Sequence, residues 1–373
     1  MNIHATRKGE IKLGRAARQP VADCDLHPVP NSIRDLFPYM EKRWRDHLDA
    51  FGSRRRQGIY QGPVYPKGQP DAARRDAWPP GGRPGSSLAF MQEQHLDPNA
   101  VELGVLTVIN PHPGNYQNPE QSIAMCRAVN DWQVAEWIEK DKRLKGSILT
   151  AYEHGAAAVA EIERLAGDPN FVQVFFLSRT AQPLGNRCYW PIYEAAVRAN
   201  LPIGIHAFGN SGFPITSSGW PSYYVEEMAG HAQSCQSQVT SLVLEGVFEA
   251  FPNLRIVFIE SGFGWLPALS WRLDRHWNKL KAENPALKRL PSDYIREHIW
   301  ITTQPMEEPE RPRHLLDICE WIGWDRILYA SDYPHWDFDD PAHCLPGDVS
   351  DENRQKLFLN NALSLYGLDR ASP

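Results

Sequence analysis

The sequence predicts an α/β fold, a (β/α)8 TIM barrel with a long insertion after its first strand. Three observations carry that expectation. From residue 21 onward, eight short apolar segments alternate with segments of helical spacing. The apolar segments are nearly continuous hydrophobic runs, as parallel strands buried on both faces are. The place after the first strand holds DCDLHP, where a doubly wound open sheet would carry a glycine-rich phosphate loop.

The first strand opens VADCDLHPVP (21–30) and is stopped by Pro28 and Pro30. Asp23, Asp25 and His27 stand at every second position, so strand alternation places all three on one face. Cys24 and Leu26 take the other face. An amphipathic helix follows at 36–52, then a Gly-, Pro- and Arg-dense stretch at 54–85. A loop of that length in a compact domain is expected to be a lid or binding loop, or else a surface insertion.

The remaining strands are expected at 101–108, 146–151, 171–177, 202–208, 255–261, 298–303 and 326–332. Helices are expected at 122–141, 153–166, 189–200, 239–251, 265–280, 309–322 and 352–367. The domain therefore runs over 21–373, preceded by an arm at 1–20 that carries Arg7, Lys8, Lys12, Arg15 and Arg18. The arm reads as a disordered or docked tail.

Composition narrows the function. Hydrophobic residues make up 42% and charged residues 23% of the 373, enough for a large core. A net charge of −6 without a basic stripe argues against nucleic acid as a partner. No apolar run approaches a membrane span, and the N-terminus lacks the apolar stretch of a secretory signal. The 6 cysteines are scattered without CxxC spacing, as free thiols of a cytoplasmic protein would be.

In barrels of this kind chemistry sits at the C-terminal ends of the strands. Those ends offer Asp25 and His27 on strand 1, His206 on strand 5, Glu260 on strand 6 and Asp332 on strand 8. Closure would bring them to one ring. Buried ionisable groups need a partner or a metal, and mixed nitrogen and oxygen donors suit a divalent ion: zinc first, manganese or iron as alternatives. By topology His231, Arg179, His112, His335 and Trp336 lie on the same face. Arg179 could pair with a substrate carboxylate, and Trp190, Trp220, Trp265 and Trp336 could wall a pocket.

The segments DCDLHP, YWPIYEAAVRANLPIGIH, EGVFEAFPNLRIVFIESG, ILYASDYPH and LFLNNALSLYG together resemble the amidohydrolase superfamily. They are most similar to the amidohydrolase-related branch that includes aminocarboxymuconate-semialdehyde decarboxylase and γ-resorcylate decarboxylase. The resemblance runs from about residue 20 to 367 and implies that Asp25, His27, His206 and Asp332 hold the metal. It also implies a homodimer or larger homo-oligomer. Two positions depart from the family pattern. Asp25 stands where a first histidine is usual, and Glu260 where a catalytic histidine is often found.

Two enzymatic expectations follow. The first is a metal-dependent hydrolase in which activated water attacks an amide, ester, lactone or C–C bond of a small, aromatic-derived acid. Asp332 would orient or deprotonate the water, with Glu260 and His231 as further acid–base groups and Arg179, His112, His335 and Trp336 on the substrate. The second is non-oxidative decarboxylation of a similar acid. A non-catalytic binding barrel is the alternative of another class. Asp23 and Glu260 stay open as further ligands.

Overall fold

The structure, a computed structural model, describes residues 19–52, 70–209, 214–216 and 218–368. Most of the N-terminal arm and the first half of the 54–85 insertion lie outside the described residues.

Eight parallel strands form one sheet in the order β1 to β8: Val21–Leu26, Val101–Leu106, Leu144–Leu149, Phe171–Arg179, Ile203–Gly209, Ile256–Ile259, Ile299–Thr302 and Ile327–Leu328. Every strand pairs with its sequence neighbour, as βα repeats dictate. The last strand is short, yet the chain beyond it closes the barrel. Cys24 N donates to Tyr329 O (3.0 Å), and His27 N to Tyr333 O (2.9 Å). The predicted (β/α)8 barrel is thus observed.

The strands are buried along almost their whole length because helices cover them outside and side chains fill them inside. A buried polar row links β3 and β4 to the C-terminal segment: Gln173 Nε2 donates to Ser147 Oγ (2.9 Å) and Tyr366 OH to Gln173 Oε1 (3.1 Å). Gly204 of β5 leaves room for it, since a Cβ there would meet the Gln173 amide at 2.8 Å.

Two helical features differ from expectation. The helix after β5 begins at Tyr224 and runs to Leu244, so His231 lies inside it and not in a loop. A further helix, Pro291–His298, precedes β7. All six cysteines are unpaired. No helix among the described residues is long and apolar enough to cross a membrane.

Candidate metal centre

The strand ends deliver their polar side chains as the barrel geometry requires. Asp25 and His27 lie at the end of β1, His206 sits on β5, Glu260 follows β6 directly, and Asp332 lies beyond Tyr329, Ala330 and Ser331 after β8. The backbone at the last two is left-handed, with φ of 53° at Glu260 and 62° at Asp332. That conformation costs a non-glycine residue roughly 1–2 kcal/mol and clusters where function holds it. The surroundings hold it here. Glu260 N donates to Thr302 Oγ1 (3.2 Å), and Glu307 Oε1 accepts from Phe263 N (2.7 Å) and Gly264 N (2.6 Å), fixing the next turn.

Both imidazoles are oriented by backbone carbonyls. His27 Nδ1 donates to Thr107 O at 2.7 Å, and His206 Nδ1 to Ala207 O at 3.1 Å. Each ring therefore keeps its Nε2 lone pair for the interior, the arrangement of a metal ligand. His206 Nε2 lies 3.0 Å from Glu260 Oε2 and 3.5 Å from Asp25 Oδ2; His27 Nε2 lies 3.3 Å from Asp25 Oδ1. One donor atom from each of Asp25, His27, His206 and Glu260 falls within 4.8 Å of the others. Asp25 Oδ2, His27 Nε2, His206 Nε2 and Glu260 Oε2 are all buried without a hydrogen-bond partner. Four such orphaned donors converging on one point fit a divalent cation, since burying them unsatisfied would be costly. Asp332 stands beside them, its Oδ1 at 2.8 Å from His27 Nε2 and 2.5 Å from His335 Nδ1.

The electrostatics match a centre built for positive charge. Burial, reinforced by Asp332, pushes the Glu260 carboxyl up to about 8. Burial lifts Asp332 to about 6 against the pull of His27, and burial with Asp332 lifts Asp337 to about 7. His206 rises to about 9: burial opposes the shift, but the charges of Asp25 and Glu260 outweigh it. Asp25 goes the other way. Burial is overcome by His27 and His206, which hold it well below the carboxylate range. Without a cation the site traps protons; a cation would displace those held by its own ligands.

A cavity of about 440 Å³ opens above the centre. Its lining includes the predicted His27, Glu260, Asp332, His335 and Trp336. It also includes Arg83, Asn110, Tyr224 and Asp337. Trp336 and Tyr224 form a side wall, with Trp336 Nε1 donating to Tyr224 OH (3.2 Å).

Several expected members are placed elsewhere. Asp23 does not share a face with Asp25 and His27, because a register shift in the β1–β2 pairing between Asp23 and Leu26 breaks the alternation. Its Oδ2 accepts from Ser331 Oγ (2.5 Å) and pairs with His95 Nε2 (2.7 Å), while Oδ1 accepts from Ser331 N (3.0 Å). This buried trio clamps β1 to the chain after β8 and takes Asp23 out of the ligand set. His95→Ala is therefore expected to cost about 3 kcal/mol of stability with no loss of bound metal. Chemical denaturation and metal analysis would check it, and metal loss at unchanged stability would contradict it.

His231 is separated from His206 by the Phe208 ring, at centroid distances of 4.4 Å and 5.5 Å, and is absent from the cavity lining. Burial, with Arg179 and His206 nearby, holds it down at about 3. Arg179 is off the lining too, its Nη2 donating to Gly209 O (3.2 Å). His112 packs among Tyr152 and Phe175. Of the four tryptophans, only Trp336 lines the cavity; Trp190 packs on Phe251, and Trp265 Nε1 donates to Ser261 O (3.0 Å).

Fold and site together define the class: a (β/α)8 barrel with a candidate cation site at its strand ends. The chain belongs to the amidohydrolase family: that family's model, described as Amidohydrolase, matches residues 22–368. Among curated proteins it is 25% identical to the gamma-resorcylate decarboxylase of Polaromonas sp. over 285 residues, 74% of this chain and 86% of that one. Among solved structures it is similar to a dihydroxybenzoic acid decarboxylase of Polaromonas sp. with bound manganese and the inhibitor 2-nitroresorcinol. That match has a TM-score of 0.65 and 21% identity, and covers 94% of this chain and 98% of the other. It is also similar to the 5-carboxyvanillate decarboxylase of Novosphingobium aromaticivorans, complexed with manganese and 4-hydroxy-3-methoxy-5-nitrobenzoic acid. There the TM-score is 0.67 and the identity 17%, with 93% and 96% of the two chains covered.

Proposed function

We propose that this enzyme is a divalent-cation-dependent, non-oxidative decarboxylase of a small aromatic acid. That is the second of the two enzymatic expectations; hydrolysis, placed first from the sequence, has less support. The carrying observation is Asp332: a fully buried acid that lines the cavity beside the orphaned ligand atoms, its Oδ1 2.8 Å from His27 Nε2. Decarboxylation needs a proton delivered to carbon, and such a group can carry one. The decarboxylase names of the relatives support the same reaction, and the manganese in two neighbouring structures favours manganese over the zinc expected from sequence. A carboxylate-rich donor set suits manganese as well.

Asp25, His27, His206 and Glu260 would hold the cation. When bound, it supplies positive charge that fixes the acid's oxygens and offsets charge developing on them. Trp336 and Tyr224 wall the ring in place. Asp332 gives its proton to the ring carbon that bears the carboxylate, using an electron pair of the ring. The C–C bond to the carboxylate then breaks, its electron pair returns to the ring, and carbon dioxide leaves. The resulting Asp332 carboxylate faces His27 and His335, and Gln304 Nε2 donates to its Oδ2 (3.3 Å). His335 and Asp337 are placed to return a proton to it.

The described part of the insertion contributes Asp71, Ala72, Arg83 and Pro84 to the cavity lining, which supports a lid or binding-loop role for 54–85. The test is a panel assay on manganese-loaded protein. 2,6-Dihydroxybenzoate and 5-carboxyvanillate are compared with ester, amide and lactone derivatives of aromatic acids. Carbon dioxide released in step with loss of the acid is expected; turnover of the derivatives without carbon dioxide would contradict it.

A further inference from the structure

We propose that Arg83 selects a second carboxylate on the substrate ring, remote from the one that is lost; this rests on the decarboxylase proposal above. Among the described residues that line the cavity, Arg83 is the only arginine or lysine. The cavity floor carries the ligand Glu260 together with Asp332 and Asp337. An aromatic acid directed to the cation by its reacting carboxylate would therefore meet one fixed positive group elsewhere in the cavity. A guanidinium offers a planar pair of N–H donors that match a carboxylate.

The local chain is built to hold this residue in place. Arg83 N donates to Asn31 Oδ1 (3.0 Å), and Ser86 N to Arg83 O (3.0 Å). Two residues on, Gly85 lies against the end of β1: Val29 N donates to Gly85 O (3.0 Å). A Cβ at Gly85 would overlap the His27 carbonyl oxygen, and its φ of 75° also calls for glycine. Arg83 is thus tied through the backbone to a residue of the metal centre.

Its present partner is weak. Arg83 Nε and Nη2 reach Asp71 at 3.3 Å and 3.4 Å, near the limit of a hydrogen bond, and both side chains are more than a third exposed. Asp71 itself has a left-handed backbone, φ 52°. An incoming carboxylate can take its place. Glu227, the other acid lining the rim, would disfavour any carboxylate not paired with Arg83.

The two nitroaromatics bound in the neighbouring structures separate the outcomes. 4-Hydroxy-3-methoxy-5-nitrobenzoic acid carries a ring carboxylate; 2-nitroresorcinol carries none. Binding of each to manganese-loaded protein is measured by calorimetry. Arg83→Gln is expected to weaken the carboxylated probe about tenfold and leave 2-nitroresorcinol unchanged. Asp71→Asn, which removes the competing carboxylate, is expected to tighten the carboxylated probe alone. The assignment is overturned if Arg83→Gln leaves that probe's affinity unchanged, if it weakens both probes alike, or if the wild type does not bind the carboxylated one. Carbon dioxide release reports on the reaction separately: the expected binding pattern in a protein that releases none would sink decarboxylation and keep the carboxylate site.

Discussion

Asp332→Asn is expected to lower turnover by at least about a thousandfold, because the amide cannot carry the proton that must reach carbon. Folding should survive. Asparagine is isosteric and still accepts a hydrogen bond from His335, whose Nδ1 lies 2.5 Å from Asp332 Oδ1. The buried clamp of Asp23, His95 and Ser331 next to it is untouched. Bound metal should also survive, since Asp25, His27, His206 and Glu260 converge without Asp332. Carbon dioxide release, thermal melting and metal analysis on one preparation would measure all three. Near-normal turnover would remove Asp332 from the chemistry. Loss of the metal along with turnover would instead make it a ligand, as the family resemblance implies.

Removing the cation is the second large effect. Chelation should abolish turnover, and manganese should restore it. It should also change how stability depends on pH. In the cation-free protein burial is the largest cause lifting Glu260 to about 8, Asp337 and Asp339 to about 7 and Asp332 to about 6. His206 is lifted to about 9 against burial, by Asp25 and Glu260. A group whose affinity for protons is higher in the folded state stabilises below its unfolded value, and that stability is lost as pH rises through the folded value. His231 and His335 are displaced downward, to about 3 and about 4, so their effect is complete above the unfolded histidine value of 6.5. Between pH 6.5 and 9 the lifted groups dominate, and the melting temperature of chelated protein should fall across that window. Cation binding needs its ligands Glu260 and His206 deprotonated and strengthens as pH rises. Saturating manganese should therefore oppose the fall, adding about 4 kcal/mol at a thousand times its dissociation constant. Parallel melting profiles with and without manganese would contradict this.

Much of this architecture is legible in the amino-acid order. Eight apolar runs announce eight buried parallel strands. The rule that barrels work at strand C-termini singles out Asp25, His27, His206, Glu260 and Asp332 across 307 positions of chain, and the structure gathers them. What escaped has physical reasons. Asp23 was expected beside Asp25 because spacing by two implies one face. A one-residue irregularity in strand pairing reverses that and leaves no mark in composition. His231 was expected at the mouth because its helix was expected from 239 onward. The helix begins at Tyr224, and the Phe208 ring screens His231 from His206. Arg83 sits in a Gly- and Pro-rich insertion with no period to place it. Only its contacts with Asn31 and Asp71 and the approach of Gly85 to His27 bring it to the cavity. Arg179, by contrast, was favoured by topology and is turned to a backbone carbonyl.

A crystal of the manganese-loaded protein, with diffraction recorded at the manganese absorption edge, tests the centre most directly. One anomalous peak per chain is expected, touching Nε2 of His27 and of His206 and a carboxylate oxygen of Asp25 and of Glu260. A fully loaded protein that shows no peak between those four side chains, or a peak held by other residues, would contradict the assignment of this ring as a cation site.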